Sequence, residues 1–174
     1  MKPFIGIKKI WYADPITEEM TAAKLKTWLG TAKEVNNSHQ DSWSYTQDDP
    51  SVTDYINELS GKPYYRDMTS AGNKTIAFTM GVYEFEDRVE LQGGKIIGEN
   101  EGWASPTSPA LVYKSIVGQT KTGNYIVFTN AGIVAKTNTV EKNLGFGITA
   151  VAMDNATAGV ADEYLFDGAA VDGE

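Results

Sequence analysis

Asn73 to Gly94 reads NKTIAFTMGVYEFEDRVELQGG, and the way this stretch divides decides the fold. From Lys74 to Tyr83, Ile76, Phe78, Met80 and Val82 alternate with Thr75, Ala77, Thr79 and Gly81, the period of a strand with one buried face. The opposite face is small and mildly polar, which suits a lumen or a shallow interface better than bulk water. Glu84 to Gln92 then predicts a short helix. Glu84, Glu86 and Asp87 fall in its first turn, where the positive end of the backbone dipole favours anions, and Phe85 and Val89 share a face. Gly93 suits the C′ position, and Gly94 a sharp return to strand. So short a helix must pack on the sheet or on a neighbouring molecule.

Composition narrows what surrounds this unit. At 174 residues the chain can bury a core without metal or disulfide staples, and residues 1–174 read most simply as one domain. The absence of cysteine removes disulfide frameworks, thiolate zinc sites and cysteine nucleophiles. The stretch MKPFIGIKKIW lacks an uninterrupted apolar core, and no apolar run reaches about eighteen residues, so neither a secretory signal nor a membrane span is expected. Fifteen Lys and Arg against 23 Asp and Glu give a formal net charge of −8, which disfavours a grip on nucleic acid by phosphate neutralisation. Nine Tyr, six Phe and four Trp beside 17 Gly lean towards a β-rich fold.

Upstream, Phe4 to Tyr12 reads as the first strand, ending at the Asp14-Pro15 breaker. Ala22, Leu25, Trp28 and Leu29 fall at helical spacing, and Gly30 would terminate a short helix. Glu34 to Gln47 predicts a second long strand, with Trp43 and Tyr45 on one face and Ser42, Ser44 and Thr46 on the other. Asp48 to Asn73 is then too long for a simple hairpin connection. Tyr55, Ile56, Leu59, Tyr64 and Tyr65 make it too apolar for disorder, so it reads as a docking loop. Downstream, Gly98 to Pro109 is a polar turn region anchored by Trp103. Leu111 to Val117, Asn124 to Asn130, Gly132 to Thr137 and Leu144 to Met153 read as short strands at regular spacing, the pattern of a sandwich or barrel. In the extension from 154 to 174, only Tyr164-Leu165-Phe166 is suited to pair or dock.

Catalytic and cofactor motifs find little support. Gly145 to Ala150 matches GxGxxA but looks like a strand itself, so its glycines are read as flattening one face. Gly118 to Gly123 has P-loop spacing without the following Lys-Ser/Thr and reads as a hairpin turn. His39 is the single histidine, expected on a strand surface, and no Ser sits in a GxSxG context. The pairs Glu18-Glu19, Asp48-Asp49 and Glu86-Asp87 diverge on a strand and commonly solvate or cap. No catalytic residue, metal ligand or cofactor is expected.

Four stretches together resemble phage tail tube proteins, the major tail subunits of long-tailed phages, whose fold is shared with secretion-system tube proteins. They are GIKKIWYADPIT (6–17), DSWSYTQDDPSVTDYINELSGKPYY (41–65), GNKTIAFTMGVYEFEDRVELQGG (72–94) and YIVFTNAGIVAKTNTVEKN (125–143). The resemblance implies a mainly β fold, two packed antiparallel sheets with one short flanking helix at Glu84 to Gln92 and a long inter-strand loop at 48–73. It implies six-fold rings stacked into a tube in a virion tail, assembled in the bacterial host cytoplasm with tail initiator and terminator proteins, through which DNA passes without specific binding. The loop would reach between rings through Tyr55, Ile56, Leu59, Tyr64 and Tyr65. Ser42, Ser44, Thr46, Thr75 and Thr79 would line the lumen. A secretion-system inner tube subunit is an alternative in the same class. A carbohydrate-binding β-sandwich stacking sugars on Trp11, Trp43, Trp103 and several tyrosines is one in another.

Overall fold

The computed structural model describes residues 1–173. The first half of the chain forms β1 (Lys9–Ala13), α1 (Ala22–Leu29), β2 (Lys33–Glu34), β3 (Ser44–Gln47), β4 (Ser51–Asn57), β5 (Lys62–Ser70) and β6 (Lys74–Met80). There follow α2 (Phe85–Gln92), β7 (Lys95–Ile97), β8 (Gly102–Ala104), β9 (Val112–Gln119), β10 (Tyr125–Val140), β11 (Asn143–Ala152), β12 (Glu163–Phe166) and α3 (Gly168–Asp172). The fold is mainly β. One large antiparallel sheet runs in the order β2-β1-β9-β10-β11-β6-β3, with β12 added to β10, and β4-β5 and β7-β8 form two small sheets.

The 16-residue β10 carries the architecture. Its first half pairs with β9 on one side and β12 on the other, as in Tyr125↔Gln119 and Tyr125↔Phe166. After a register irregularity between Phe128 and Ala131, its second half pairs with β11 from Ala131↔Ala152 to Val140↔Asn143. The sequence reading divides this strand in two at Asn130 and Ala131, where the irregularity falls.

The two expected sheets are thus two halves of one continuous sheet, facing each other across a common core. Ile10, Tyr12, Ile116, Ile126 and Phe128 of one half meet Ile76, Phe78, Met80, Phe146 and Ile148 of the other. Trp43 packs against Phe78 with ring centroids 6.5 Å apart, and a Cβ at Gly118 on β9 would sit 2.8 Å from its ring. Only glycine at 118 lets the indole fill the gap between the halves.

The outer face of the first half is also covered. Trp11, Val117, Tyr125 and Val127 pack beneath Ile16, Met20, Leu25 of α1 and Val171 of α3. A strand buried on both faces reads as a continuous apolar run, which is why Tyr125-Ile126-Val127-Phe128 shows no alternation. As the helical spacing predicts, α1 forms, with the Thr21 Oγ1 accepting the Lys24 amide at 3.3 Å and Gly30 at its end.

Several expectations shift. The first strand starts at Lys9 instead of Phe4, because Gly6 takes φ +61° and turns the chain. The strand expected over Glu34 to Gln47 is two short strands, β2 and β3, around an irregular loop that includes Asp41 at φ +60°. His39 lies in that loop, half-buried, not on a strand. β6 stops at Met80 because the Asn37 Oδ1 accepts the amides of Gly81 and Val82 at 2.8 and 3.1 Å, and Val82, expected in the core, is 70% exposed. In α2 the buried residues are Asp87, Arg88 and Leu91, not Phe85 and Val89. Arg88 is only 5% exposed, with its guanidinium 4.7 Å from the Tyr83 and Phe146 ring centres and 4.9 Å from that of Trp103. Trp103 is the expected anchor, donating from its indole N–H to Gly93 O at 2.9 Å from within β8. The described residues carry three short helices where the resemblance implies one flanking helix, α3 being the one no spacing predicted, and the expected docking of Tyr164 to Phe166 occurs as β12.

Three phenol–carboxylate contacts tie peripheral elements to the sheet. Tyr12 on β1 donates to Asp87 of α2 at 2.6 Å, Tyr45 on β3 to Glu163 of β12 at 2.6 Å, and Tyr125 on β10 to Asp172 of α3 at 2.9 Å. Burial, then the bonded carboxylate, raises all three phenols above their ordinary pKa. Burial alone would raise Asp87, but bonds from the Lys33 ammonium at 2.7 Å, the Tyr12 hydroxyl and the Glu84 amide hold it below the ordinary carboxylate range.

The folded phenol pKa values lie above the unfolded value of about 10, so this stabilisation is fully present below that pH and is lost as pH rises beyond it. Absorbance titration at 295 nm of the native protein should therefore leave three of the nine tyrosines protonated until unfolding, with their ionisation coincident with loss of circular dichroism. Ionisation of all nine before any unfolding would contradict these contacts.

Candidate functional site

Two surfaces stand out, and both contain residues singled out from the sequence. The first is the outer face of the β10-β11-β6-β3 half, opposite the core. Register places Val134, Thr149, Ala77 and Ser44 in one row across the four strands, and Gly132, Val151, Thr75 and Thr46 in the next. A third row holds Lys136, Gly147 and Thr79. Four of the five residues expected on one small-polar face, Ser44, Thr46, Thr75 and Thr79, are brought onto one surface. Lys136 is the single charged side chain in these rows.

Two of the expected lining residues sit differently. Thr79 is only 5% exposed, because the Asn138 side chain crosses β11 and donates from Nδ2 to the Thr79 Oγ1 at 3.1 Å. The crossing needs glycine beneath it: a Cβ at Gly147 would lie 3.1 Å from Asn138 Cβ, and one at Gly145 2.9 Å from Thr79 Cγ2. That is the role of the GxGxxA match, which forms part of β11. Ser42 precedes β3 and is half-buried, accepting the Thr79 amide at 3.0 Å and donating to His39 O at 2.7 Å. It anchors the loop at the end of β6 instead of lining the face.

This half-sheet has two open edges. β3 ends the strand order, with no strand beyond it. On β10, pairing with β9 stops at Ile133↔Val112, so Val134 to Val140 have a strand partner on the β11 side alone. Unpaired edges of this kind are templates for a strand from another chain.

The second surface is the segment from Asp48 to Asn73, which is a β-hairpin and not a loop. β4 and β5 pair through Val52↔Met68, Tyr55↔Tyr65 and Asn57↔Lys62, with bulges at Ser51/Val52 and Tyr55/Ile56. Asp54 and Arg66 lock the middle through bonds of 2.6 and 3.2 Å, and the Tyr55 and Tyr65 rings stand 5.6 Å apart. At the base the Asp48 amide donates to Asn73 O at 2.9 Å. Gly72, at φ +82°, permits this close approach, since a Cβ there would meet Asp48 O. Tyr55, Ile56, Leu59, Tyr64 and Tyr65 are all exposed, Leu59 at the tip by 98%. Val52 and Met68, which pair across β4 and β5, are exposed too and were not among the residues expected to dock. A lone two-stranded hairpin is marginal in water, and a contiguous exposed apolar patch marks an interaction site.

The acidic pairs are dispersed. Glu18 pairs with Lys24 at 2.7 Å, Asp48 and Asp49 lie exposed at the hairpin base, and Asp87 is held by Tyr12 and Lys33. His39 Nε2 stands 3.8 Å from Glu141 Oε2. Among the described residues no three His, Asp or Glu side chains converge as metal ligands, and no helix is long and apolar enough to cross a membrane. No family model matches the sequence, and no curated protein matches it either.

Since the hairpin's apolar side chains lie outside the core clusters, replacing Tyr55, Ile56 and Tyr65 with Ser should change global stability by no more than about 0.5 kcal/mol each. Urea unfolding followed by tryptophan fluorescence, together with reduced binding of an apolar dye, checks this. A loss of several kcal/mol would mean that the hairpin is part of the folded core.

Proposed function

We propose that this chain is a structural subunit that assembles with its own copies into stacked rings, forming a tube of the phage tail type, and that it performs no catalysis. The observation that carries the reading is the four-strand half-sheet with a small, nearly uncharged outer face and two unpaired edges. A ring of such subunits joins the β3 edge of one copy to the β10 edge of the next and leaves neither unpaired. Six copies contribute roughly 24 strands, which at about 4.8 Å spacing close a circle about 37 Å across before strand tilt widens it. Ser44, Thr46, Thr75, Ala77 and Thr149 on the inner wall leave clearance for a duplex of about 20 Å.

The charge supports a conduit. A subunit of net charge −8 offers a polyanion nothing to grip, and one Lys136 per copy is a sparse counterweight. Stacking falls to the β4-β5 hairpin, the exposed apolar element outside the main sheet. Initiator and terminator proteins would start and stop growth, and DNA would pass without specific binding. A secretion-system tube shares this geometry, and the two are separated by the gene neighbourhood. The sugar-binding alternative draws less support. Trp11 is buried, Trp43 packs between the half-sheets and Trp103 is bonded to Gly93 beside Arg88.

Negative-stain microscopy of concentrated protein should show rings or tubes with an opening of roughly 35–45 Å. Removal of residues 51–70 should preserve β-rich circular dichroism and abolish tubes. A strictly monomeric species up to millimolar concentration, even after seeding with tail-tip complexes, overturns the assembly reading.

A further inference from the structure

The β4-β5 hairpin leaves one end of the half-sheet, after Gln47 of β3 and before Lys74 of β6. The other end of β6 is closed by the loop before β3, where the His39 amide donates to Thr79 O at 2.7 Å. At strand rise, Lys74 and Thr79 are about 17 Å apart. Between that loop and the amino-terminal segment runs a groove of about 500 Å³, with Ile7 and Trp43 as apolar walls and Lys8, Lys9 and Lys121 on its border. The one acidic residue in its lining is Asp41.

Hairpin and groove are complementary in charge and character. From Asp48 to Asn73 the chain carries five acidic and two basic residues, and its exposed side chains include aromatic and aliphatic groups. Within the hairpin Arg66 is satisfied by Asp54, and in the groove Lys9 is satisfied by Glu34 at 3.1 Å. Among the described residues, neither Lys8 nor Lys121 stands within ion-pair distance of a carboxylate. Glu58 and Asp67 of the hairpin likewise lack an ion-pair partner.

We infer that this groove is the seat for the β4-β5 hairpin of a second copy, joined head to tail. The inference rests on the assembly reading above and names the surface that completes it. Two different patches at opposite ends of one half-sheet make a heterologous contact, which repeats along an axis instead of closing into a pair. A hairpin pairing with another hairpin would give the opposite result, a closed dimer.

The cysteine-free chain allows a direct test. One full-length chain carries Leu59→Cys at the exposed hairpin tip, and a second carries Asn36→Cys on the exposed groove wall. Mixed at assembling concentration and oxidised, they should give a disulfide-linked heterodimer on a non-reducing gel. Adding Lys8→Glu and Lys121→Glu to the groove chain should lower its yield about fivefold, and Glu58→Lys with Asp67→Lys on the hairpin chain should restore it. Leu59→Cys homodimers alone would overturn the inference in favour of hairpin–hairpin pairing. Tubes without the heterodimer would overturn it while the assembly reading stands, and wild-type protein that never assembles would overturn both.

Discussion

β10 pairs on both sides of the irregularity at Thr129 and Asn130, but with different neighbours at its two ends, and most of the structure follows from that constraint. Because the strand continues through the register irregularity after Phe128, the halves it joins stay covalently linked while facing each other. Tyr12, Ile116 and Phe128 then pack against Phe78, Met80 and Phe146. Once that core is closed, the outer faces have different fates. Helices α1 and α3 cover one, while no helix covers the other, which is crossed locally by Asn138 over Thr79 and by Leu111 and Met153 beside Gly132. The asymmetry leaves the small-residue face and the two strand edges open together.

The chain shows where it spends its polar chemistry. Buried carboxylates meet phenols and a lysine in Tyr12–Asp87–Lys33, while Tyr45, Glu163 and Lys74 gather where β3, β12 and β6 approach. Each tie fixes a peripheral element to the core. Burial lowers the Lys74 ammonium, but its bonds to Glu163 and Asp162 outweigh that effect and raise it. By contrast, the outer face of the second half has little but hydroxyls, small side chains and Lys136. Charge is concentrated in the ties that hold the fold together and sparse on this face.

Much of this was legible in the sequence where periodicity had one cause. Ile76, Phe78 and Met80 alternate because one face of β6 is buried, and Ala22 to Leu29 repeats at helical spacing because one stripe packs inward. It failed where tertiary contacts override local pattern. Nothing near Val82 in sequence shows that Asn37, some forty residues earlier, takes the next two amides and ends the strand. The apolar spacing of Phe85 and Val89 hides the fact that Arg88, lodged among three aromatic rings, is the buried side of α2. The segment from Asp48 to Asn73 showed its exposed aromatics but not its own strands, because both faces of β4 and β5 lie open and the alternation that marks burial is missing. Thr79 lies on the expected face, but its cover by Asn138, two strands away on β10, depends on Gly145 and Gly147 in the strand between them.

The central claim is that this chain is completed by its own copies at three places: the hairpin from 51 to 70, the edge of β3 and the edge of β10 from 134 to 140. Hydrogen exchange followed by mass spectrometry, on dilute and on concentrated protein, tests it most directly. The account predicts fast exchange at all three in the dilute form and marked slowing on assembly, with β9 and the first half of β10 protected equally in both. Slow exchange of the hairpin in dilute monomer, or no change at any of the three on assembly, would contradict it.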